Sequence, residues 1–489
     1  MRDIQVYNTL TGKKEKLETL EPSHVKLYAC GVTVYDDCHI GHAMQAIYFD
    51  VIRTYLEYVG YKVTYVRNYT DVDDKIIKRS QERGITPKAL VDEIIASSER
   101  DMKGLGVKPA TFEPRVSESI PEIIGVIQDL ETNGFAYSTP EGDVYYRVRK
   151  KTDYGKLSNR KTEELQSGTR DLVKGDKEDE LDFALWKKDN TEGASWDSPW
   201  GRGRPGWHIE CSAMAKMYLG KSFDIHGGGR DLVFPHHENE IAQSEAANSC
   251  PYSTYWMHSG LLTINKTKMS KSLGNSILTS KFLQRFPGEV LRLAYLQNHY
   301  TSNVDFSEQV FRSSAQRLLY FYETMRELDQ IASPATGAVS LLPGHKPDEL
   351  IEAFHREMTN DFGTVGALRE ILLAFRKANE LRQGKPSPAK VHTAAAYAAV
   401  FRELFGVFGL VQAAPEDFIQ SLKSKIVADL GIEESKIESL ITARKTARDT
   451  KNFARGDEIR AELTAMGIEL MDGPQGTRWT LQWKDEEGK

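Results

Sequence analysis

The stretch VKLYACGVTVYDDCHIGHA, residues 25–43, decides how the rest of the chain is read. Its first ten residues are rich in β-branched and aromatic side chains and predict a strand. After a short turn, Met44, Ile47, Tyr48, Val51, Ile52, Tyr55, Leu56 and Val59 recur at helical spacing and stop at Gly60. KVTYVRNYTD, residues 62–71, predicts a second strand. A strand–helix–strand unit implies a parallel sheet. It also puts CHIGHA where a strand hands over to a helix N-terminus, and backbone N–H groups there can hold a phosphate. Cys30 ends the strand and Cys38 precedes the turn. Their spacing suits no CxxC site, so a chemical partner for Cys30 has to come from far along the chain.

The chain has 489 residues, too many for one hydrophobic core. It is 40% hydrophobic and 27% charged, with a formal charge of -6. That balance neither points to nor excludes nucleic acid, because such partners read local patches. Four cysteines in so long a chain make no disulfide framework. No apolar run reaches membrane-span length. The nearest, residues 394–414, is broken by Arg402 and Glu403 and reads as a buried amphipathic helix. Residues 1–18 lack the apolar centre of a secretory signal, and the expected location is the cytoplasm.

The pattern divides the chain into six expected segments. Residues 1–115 form the first half of an α/β, Rossmann-like parallel-sheet domain. Residues 116–205, with the polar run TEELQSGTRDLVKGDKEDELD and the Pro/Gly cluster SPWGRGRPGW, read as an insertion that interrupts it. Residues 206–260 resume the sheet, and 261–315 hold a basic loop. Residues 316–425 read as a helical bundle with a loop near 333–349. Residues 426–489 form a small α+β unit: a basic helix pair and a hairpin.

Several residues could carry chemistry. Cys30, Cys211 in WHIECSAM, and His236 and Glu240 in HHENE are zinc-ligand types. His236 and Glu240 stand four apart, on one face of a helix. On spacing alone, a buried cysteine and a solvated helix face remain the plainer reading. HHENE is not the HExxH of metalloproteases, since Ile241 stands where the second histidine would be. HIGH at 39–42 places His39 and His42 one turn apart at a helix start. KMSKS at 268–272 offers Lys268 and Lys271, cations suited to a polyphosphate. In residues 441–460, Arg444, Lys445, Arg448, Lys451, Arg455 and Arg460 face only Asp449, Asp457 and Glu458, an excess that suits backbone phosphates. Trp479 and Trp483 nearby suit stacking on unpaired bases or filling a small core.

HIGH and KMSKS in that order, about 230 residues apart, resemble the signature of class I aminoacyl-tRNA synthetases. The flanks resemble the bacterial cysteine-specific family over nearly the whole chain. They include RNYTDVDDKII, LDFALWK, GWHIECSAM, FDIHGGGRDLVFPHHENEIAQSEA, KMSKSLGN and the C-terminal ARKTARDTKNFARGDEIRAEL. The resemblance implies activation of L-cysteine by ATP, with Mg²⁺, and its transfer to tRNA by a monomeric enzyme. It implies one zinc ion at Cys30, Cys211, His236 and Glu240 that receives the substrate thiolate, and an amino-acid pocket shaped by Thr70 and Trp207. It implies ATP contacts from His39, His42, Gly227, Gly228, Gly229, Asp231 and Lys271, and tRNA contacts from Arg444, Lys445, Arg448, Lys451, Arg455 and Trp479. A related ligase joins cysteine to an amino sugar, but it lacks the C-terminal unit found here.

Overall fold

The structure is a computed structural model that describes residues 2–161, 177–268, 276–332, 340–473 and 476–481. Its centre is a four-stranded sheet in the order Ser253–Ser259, Phe223–Gly229, His24–Thr33, Lys62–Thr70. All three pairings are parallel. The strands are largely buried on both faces, as in a sheet covered on both sides, with polar residues such as Asp224, His226 and His258 among the apolar ones. The helix Ile40–Tyr58 packs on one face, continuous with the bundle core, and the helices Trp207–Leu219 and Glu238–Asn248 pack on the other.

The pairing of the two middle strands matters most. Leu27 lies opposite Ile225, Tyr28 opposite His226 and Ala29 opposite Gly227. Residues nearly two hundred apart in sequence are thereby adjacent in space. On its other edge the His24–Thr33 strand shifts register between Ala29 and Val32. This irregularity falls at Cys30–Gly31. A Cβ at residue 31 would collide with the Asn68 carbonyl, so glycine is required there. The freed Gly31 N–H donates to Asn68 Oδ1 at 2.9 Å.

Between the sheet halves, the helix Ile120–Thr132 and an antiparallel sheet of Ala136–Ser138, Val144–Tyr146, Phe183–Lys188 and Gly203–Pro205 form the interrupting insertion. After the sheet come the helices Glu308–Ala332, Pro347–Met358, Thr364–Asn379, Pro388–Phe408 and Pro415–Asp429. The chain ends in the helices Glu434–Asp449 and Phe453–Ala465 and the hairpin Ile468–Gly473/Gly476–Leu481. This is the α/β fold with insertion, helical bundle and small α+β unit that the sequence pattern implies. The apolar 394–414 run forms most of the Pro388–Phe408 helix, which Gly409 ends at φ +62°. Arg402, which breaks the run, pairs with Asp329 at 2.5 Å. No helix of the described residues is long and apolar enough to cross a membrane.

One buried ion pair locks the bundle to the sheet domain. Arg292 Nη2 donates to Asp50 Oδ2 at 2.7 Å, with the arginine 1% and the aspartate 3% exposed. Arg292 Nε donates to the Phe408 carbonyl at 3.0 Å, and Nη1 to the Gly106 carbonyl at 3.2 Å. One guanidinium therefore ties together the Ile40–Tyr58 helix, the turn at 105–106 and the end of the Pro388–Phe408 helix. Arg292→Ala strands the Asp50 charge and should lower unfolding free energy by about 3–5 kcal/mol. Urea titration reads this, and a loss well below that range would show that water reaches Asp50.

Candidate functional site

Cys30 does not end its strand, which runs on to Thr33, but sits at the irregularity within it; Cys211 sits one turn into the Trp207–Leu219 helix, and His236 and Glu240 bracket the start of the Glu238–Asn248 helix. The fold brings these four together, with ligand atoms within 4.8 Å of one another and every residue buried. The sulfurs of Cys30 and Cys211 are 3.7 Å apart. Cys30 Sγ lies 3.3 Å from Glu240 Oε1, and His236 Nε2 lies 3.0 Å from the same oxygen. Two Zn–S bonds of 2.3 Å at a tetrahedral angle would put sulfurs about 3.8 Å apart, so the donor set fits zinc in type and spacing.

The protonation pattern fits as well. A hydrogen bond from the Cys30 thiol pulls Cys211 down to about 6 despite burial. Burial pushes the Cys30 thiol up, aided by Cys211. Burial opposes charge on His236, but Glu240 and Cys211 outweigh it and raise the imidazole to about 10. The cluster thus pairs anionic sulfur and carboxylate with a cationic ring, and a dication can take the place of those protons.

A second group, Cys30, His226, His237 and Glu240, is equally close. The two differ in access. Cys30, Cys211 and His236 line a cavity of about 610 Å³, whereas His226 and His237 lie beneath it. His237 is also tied through Nδ1 to His258 Nε2 at 2.8 Å. A metal that must accept a substrate atom needs an open position, and the first group supplies it.

Neighbours fix the ligands. The Tyr252 hydroxyl donates to Glu240 Oε2 at 3.1 Å, leaving Oε1 toward the cysteines. His236 Nδ1 contacts His208 Nδ1 at 3.0 Å, and the Trp207 ring stacks on His236 at 4.3 Å between centroids. Gln45 Nε2 donates to the Cys30 carbonyl at 2.6 Å, and Asn68 Nδ2 to Thr70 Oγ1 at 3.2 Å. Sequence reasoning missed Tyr252, Asn68 and Gln45. Each is a single polar residue with no motif of its own.

The same cavity is lined by Thr70, Trp207, His39, His42, Gly229 and Asp231. His39 is the cap of the Ile40–Tyr58 helix, and its ring stacks on His42 at 3.6 Å. The HIGH imidazoles thus stand at a helix N-terminus within one cavity with the donor cluster, a place suited to phosphate. Lys268 ends a two-residue strand that pairs antiparallel with Thr263–Ile264; its side chain, and all of Lys271, lie outside the described residues.

Two expectations need correction. Gly227 and Gly228 were expected to admit a ligand. A Cβ on Gly227 would instead strike the Phe49 ring, and one on Gly228 would lie 2.6 Å from the His237 ring. Both glycines are demanded by the protein's own packing, and only Gly229 of the three lines the cavity. In the C-terminal unit, Arg444 and Trp479 were expected to meet RNA. Arg444 is 2% exposed and grips both Asp472 oxygens at 2.8 Å, which pins the hairpin to the Glu434–Asp449 helix. Trp479 is 6% exposed, donates to Glu438 Oε1 at 3.0 Å and lies under Lys423. Lys445, Arg448, Lys451 and Arg455 are exposed, and Trp483 lies outside the described residues.

Residues 16–316 match the family model for the class I (C) tRNA synthetase catalytic domain, and 353–412 match a DALR domain. A solved methionyl-tRNA synthetase from Mycobacterium tuberculosis, in complex with methionyl-adenylate, superposes with a TM-score of 0.59 at 14% identity, covering 84% of this chain and 95% of that one. A putative arginyl-tRNA synthetase from Campylobacter jejuni gives 0.55 at 13%, over 80% and 94%. The fold is that of the class I aminoacyl-tRNA synthetases, which are ligases. A relative from Geobacter sulfurreducens described as cysteine–tRNA ligase is 48% identical over 98% of this chain and 100% of its own length. One of the same description from Desulfotalea psychrophila is 45% identical over 98% and 99%. The chain belongs to the cysteinyl-tRNA synthetase family.

Gly227→Ala should cost about 1–3 kcal/mol of stability through overpacking against Phe49, measured by denaturation without nucleotide. Unchanged stability with a raised KM for ATP would return that glycine to a ligand-contact role.

Proposed function

We propose that the enzyme activates L-cysteine with ATP and transfers it to the 3′-terminal adenosine of tRNA(Cys), acting as a monomer in the cytoplasm. The observation that carries this reading is the S₂NO donor cluster opening into the cavity that also holds the HIGH imidazoles. Cysteine differs from serine by one atom, and ordinary pocket contacts separate such near-isosteres weakly. Zinc bound at Cys30, Cys211, His236 and Glu240 is borderline-soft, prefers a thiolate to a hydroxyl and lowers the thiol's pKa. Thr70 and Trp207 hold the remainder of the amino acid, and selection takes place at binding.

A carboxylate oxygen of cysteine then attacks the α-phosphorus of ATP. The bond to the bridging oxygen breaks and pyrophosphate leaves; Mg²⁺ bound with the ATP would supply charge neutralisation there. The nucleophile is already ionised, so no general base is required and catalysis is positioning and charge stabilisation. His39 and His42 donate to the phosphates from the helix N-terminus. Lys268 and Lys271 neutralise charge as it develops. Asp231, beside Gly229, takes the ribose. In the second step the 2′-hydroxyl of the tRNA's terminal adenosine attacks the adenylate carbonyl and AMP leaves. We assign residues 1–115 and 206–260 to catalysis, 116–205 to the insertion, 261–315 to the KMSKS region, 316–425 to a tRNA-binding bundle and 426–489 to anticodon binding.

The decisive test is charging of total bacterial tRNA with labelled cysteine, with serine as control. Cysteine alone should be charged. Cysteine-dependent pyrophosphate exchange without charging would mean a different acceptor. Cys211→Ser should strip zinc, measured by elemental analysis, and raise the KM for cysteine with ATP binding kept. Stoichiometric zinc in that variant would sink the ligand assignment. Replacing Lys445, Arg448, Lys451 and Arg455 together by alanine should weaken tRNA binding and flatten its salt dependence by roughly 0.7–0.9 in log–log slope for each phosphate no longer neutralised. Salt titration of binding reads this, and an unchanged slope would place the tRNA elsewhere.

A further inference from the structure

Two residues after His236 and two before Glu240 stands Glu238, 1% exposed. Its Oε1 accepts from the Gly155 N–H at 3.0 Å and the Leu157 N–H at 3.5 Å. Its Oε2 accepts from the Ser158 N–H and the Ser158 hydroxyl, both at 2.8 Å. All four donors belong to one turn of the insertion, and among the described residues the carboxylate makes no ion pair. Removing a carboxylate from water is costly unless hydrogen bonds converge on it. The turn is shaped to provide them. Gly155 has φ +98°, and a side chain there would strike the Arg160 carbonyl.

The contacts continue along the helix. The Tyr154 hydroxyl donates to Asn239 Oδ1 at 2.5 Å, and Lys151 and Lys156 reach Glu245 Oε2 at 2.8 and 2.6 Å. The Arg160 guanidinium lies over the Phe234 ring at 4.3 Å. Residues 151–160 therefore clamp the segment that carries His236 and Glu240, with Glu238 at the centre of the clamp. His236 lies in the five-residue turn Val233–His237, whose backbone is irregular at Phe234 and which runs into the regular helix at Glu238, so the clamp holds the junction between His236 and Glu240.

We infer that Glu238 is a positioning residue that sets the spacing of His236 and Glu240 for metal and substrate thiolate. This rests on the zinc reading above. Glu238→Gln keeps the shape but turns an amide N–H₂ toward N–H donors. In the full-length enzyme, resistance of bound zinc to a chelator and cysteine affinity should each fall ~10-fold. KM for ATP should hold, and the ligand-field bands of the Co²⁺-substituted protein should shift. Ser158→Ala, which removes one donor from the insertion side, should move the same quantities less and serves if the first variant does not fold. Wild-type cobalt bands and cysteine KM in the folded variants, whatever their kcat, would overturn the inference and leave the zinc reading standing. A wild-type protein that binds no zinc would overturn both.

Discussion

The parallel pairing of His24–Thr33 with Phe223–Gly229 is the constraint on which the site depends. Its three registered pairs, Leu27 with Ile225 through Ala29 with Gly227, are separated by an insertion that folds as a sheet of its own. Without that register Cys30 has no partner. With it, the end of one strand faces the helix that follows the next, and the four donor side chains converge from three elements. Cys30 follows the alternation of the strand: it shares a face with Tyr28, while Leu27 and Ala29 face the other side, and the register irregularity comes directly at Cys30–Gly31.

The cluster is also why so much polar chemistry survives in a dry place. His226, His236, His237, Glu238 and Glu240 are all at or below 1% exposure. Each is held by a neighbour: His226 and His236 against Glu240, His237 by His258, Glu238 by the insertion turn. Buried polar groups are stable only as satisfied networks. This network meets most of the requirement by drawing partners from both sheet halves and from the insertion, and among the described residues only the second ring nitrogens, His226 Nδ1 and His237 Nε2, are left without a hydrogen bond in this group of five. Insertion and sheet domain are one unit at this point, which a division of the chain by sequence segments conceals.

How much of this was legible follows from what each signal encodes. The strand–helix–strand unit was visible because apolar spacing at 44–59 has only one helical interpretation. The ligand types were visible, but their meeting was not, because strand register is a long-range property and spacing within the chain does not encode it. Gly227 and Gly228 of GGGRD were read like Gly229 because a glycine that lines a cavity and one that admits Phe49 or His237 look alike in sequence. Arg444 was read with its neighbours as a contact for RNA phosphates, although it is buried. A finer reading was available, since Arg444 falls seven residues after buried Ile437 and three before buried Ala447, on the inward face of its helix. Nothing local marked Tyr252, and Asn68 lay within RNYTDVDDKII with no sign of its own role.

The inward turn of Arg444 has a further consequence for the C-terminal unit. A domain this small buries little apolar surface and depends on a few strong contacts. The bidentate pair with Asp472 closes the hairpin onto the helix, and the guanidinium holds the Asp472 carboxyl well below the usual carboxylate range. A folded carboxylate with a depressed pKa contributes stability above its unfolded value that is lost as pH falls through the folded one. The pair therefore holds at full strength through neutral pH and weakens only in strong acid. Asp472 is half exposed, so water screens the interaction and its contribution is geometric more than energetic. It fixes the hairpin against the Glu434–Asp449 helix, whose exposed residues Lys445 and Arg448 stand beside that contact, Arg448 reaching Asp472 at 3.8 Å.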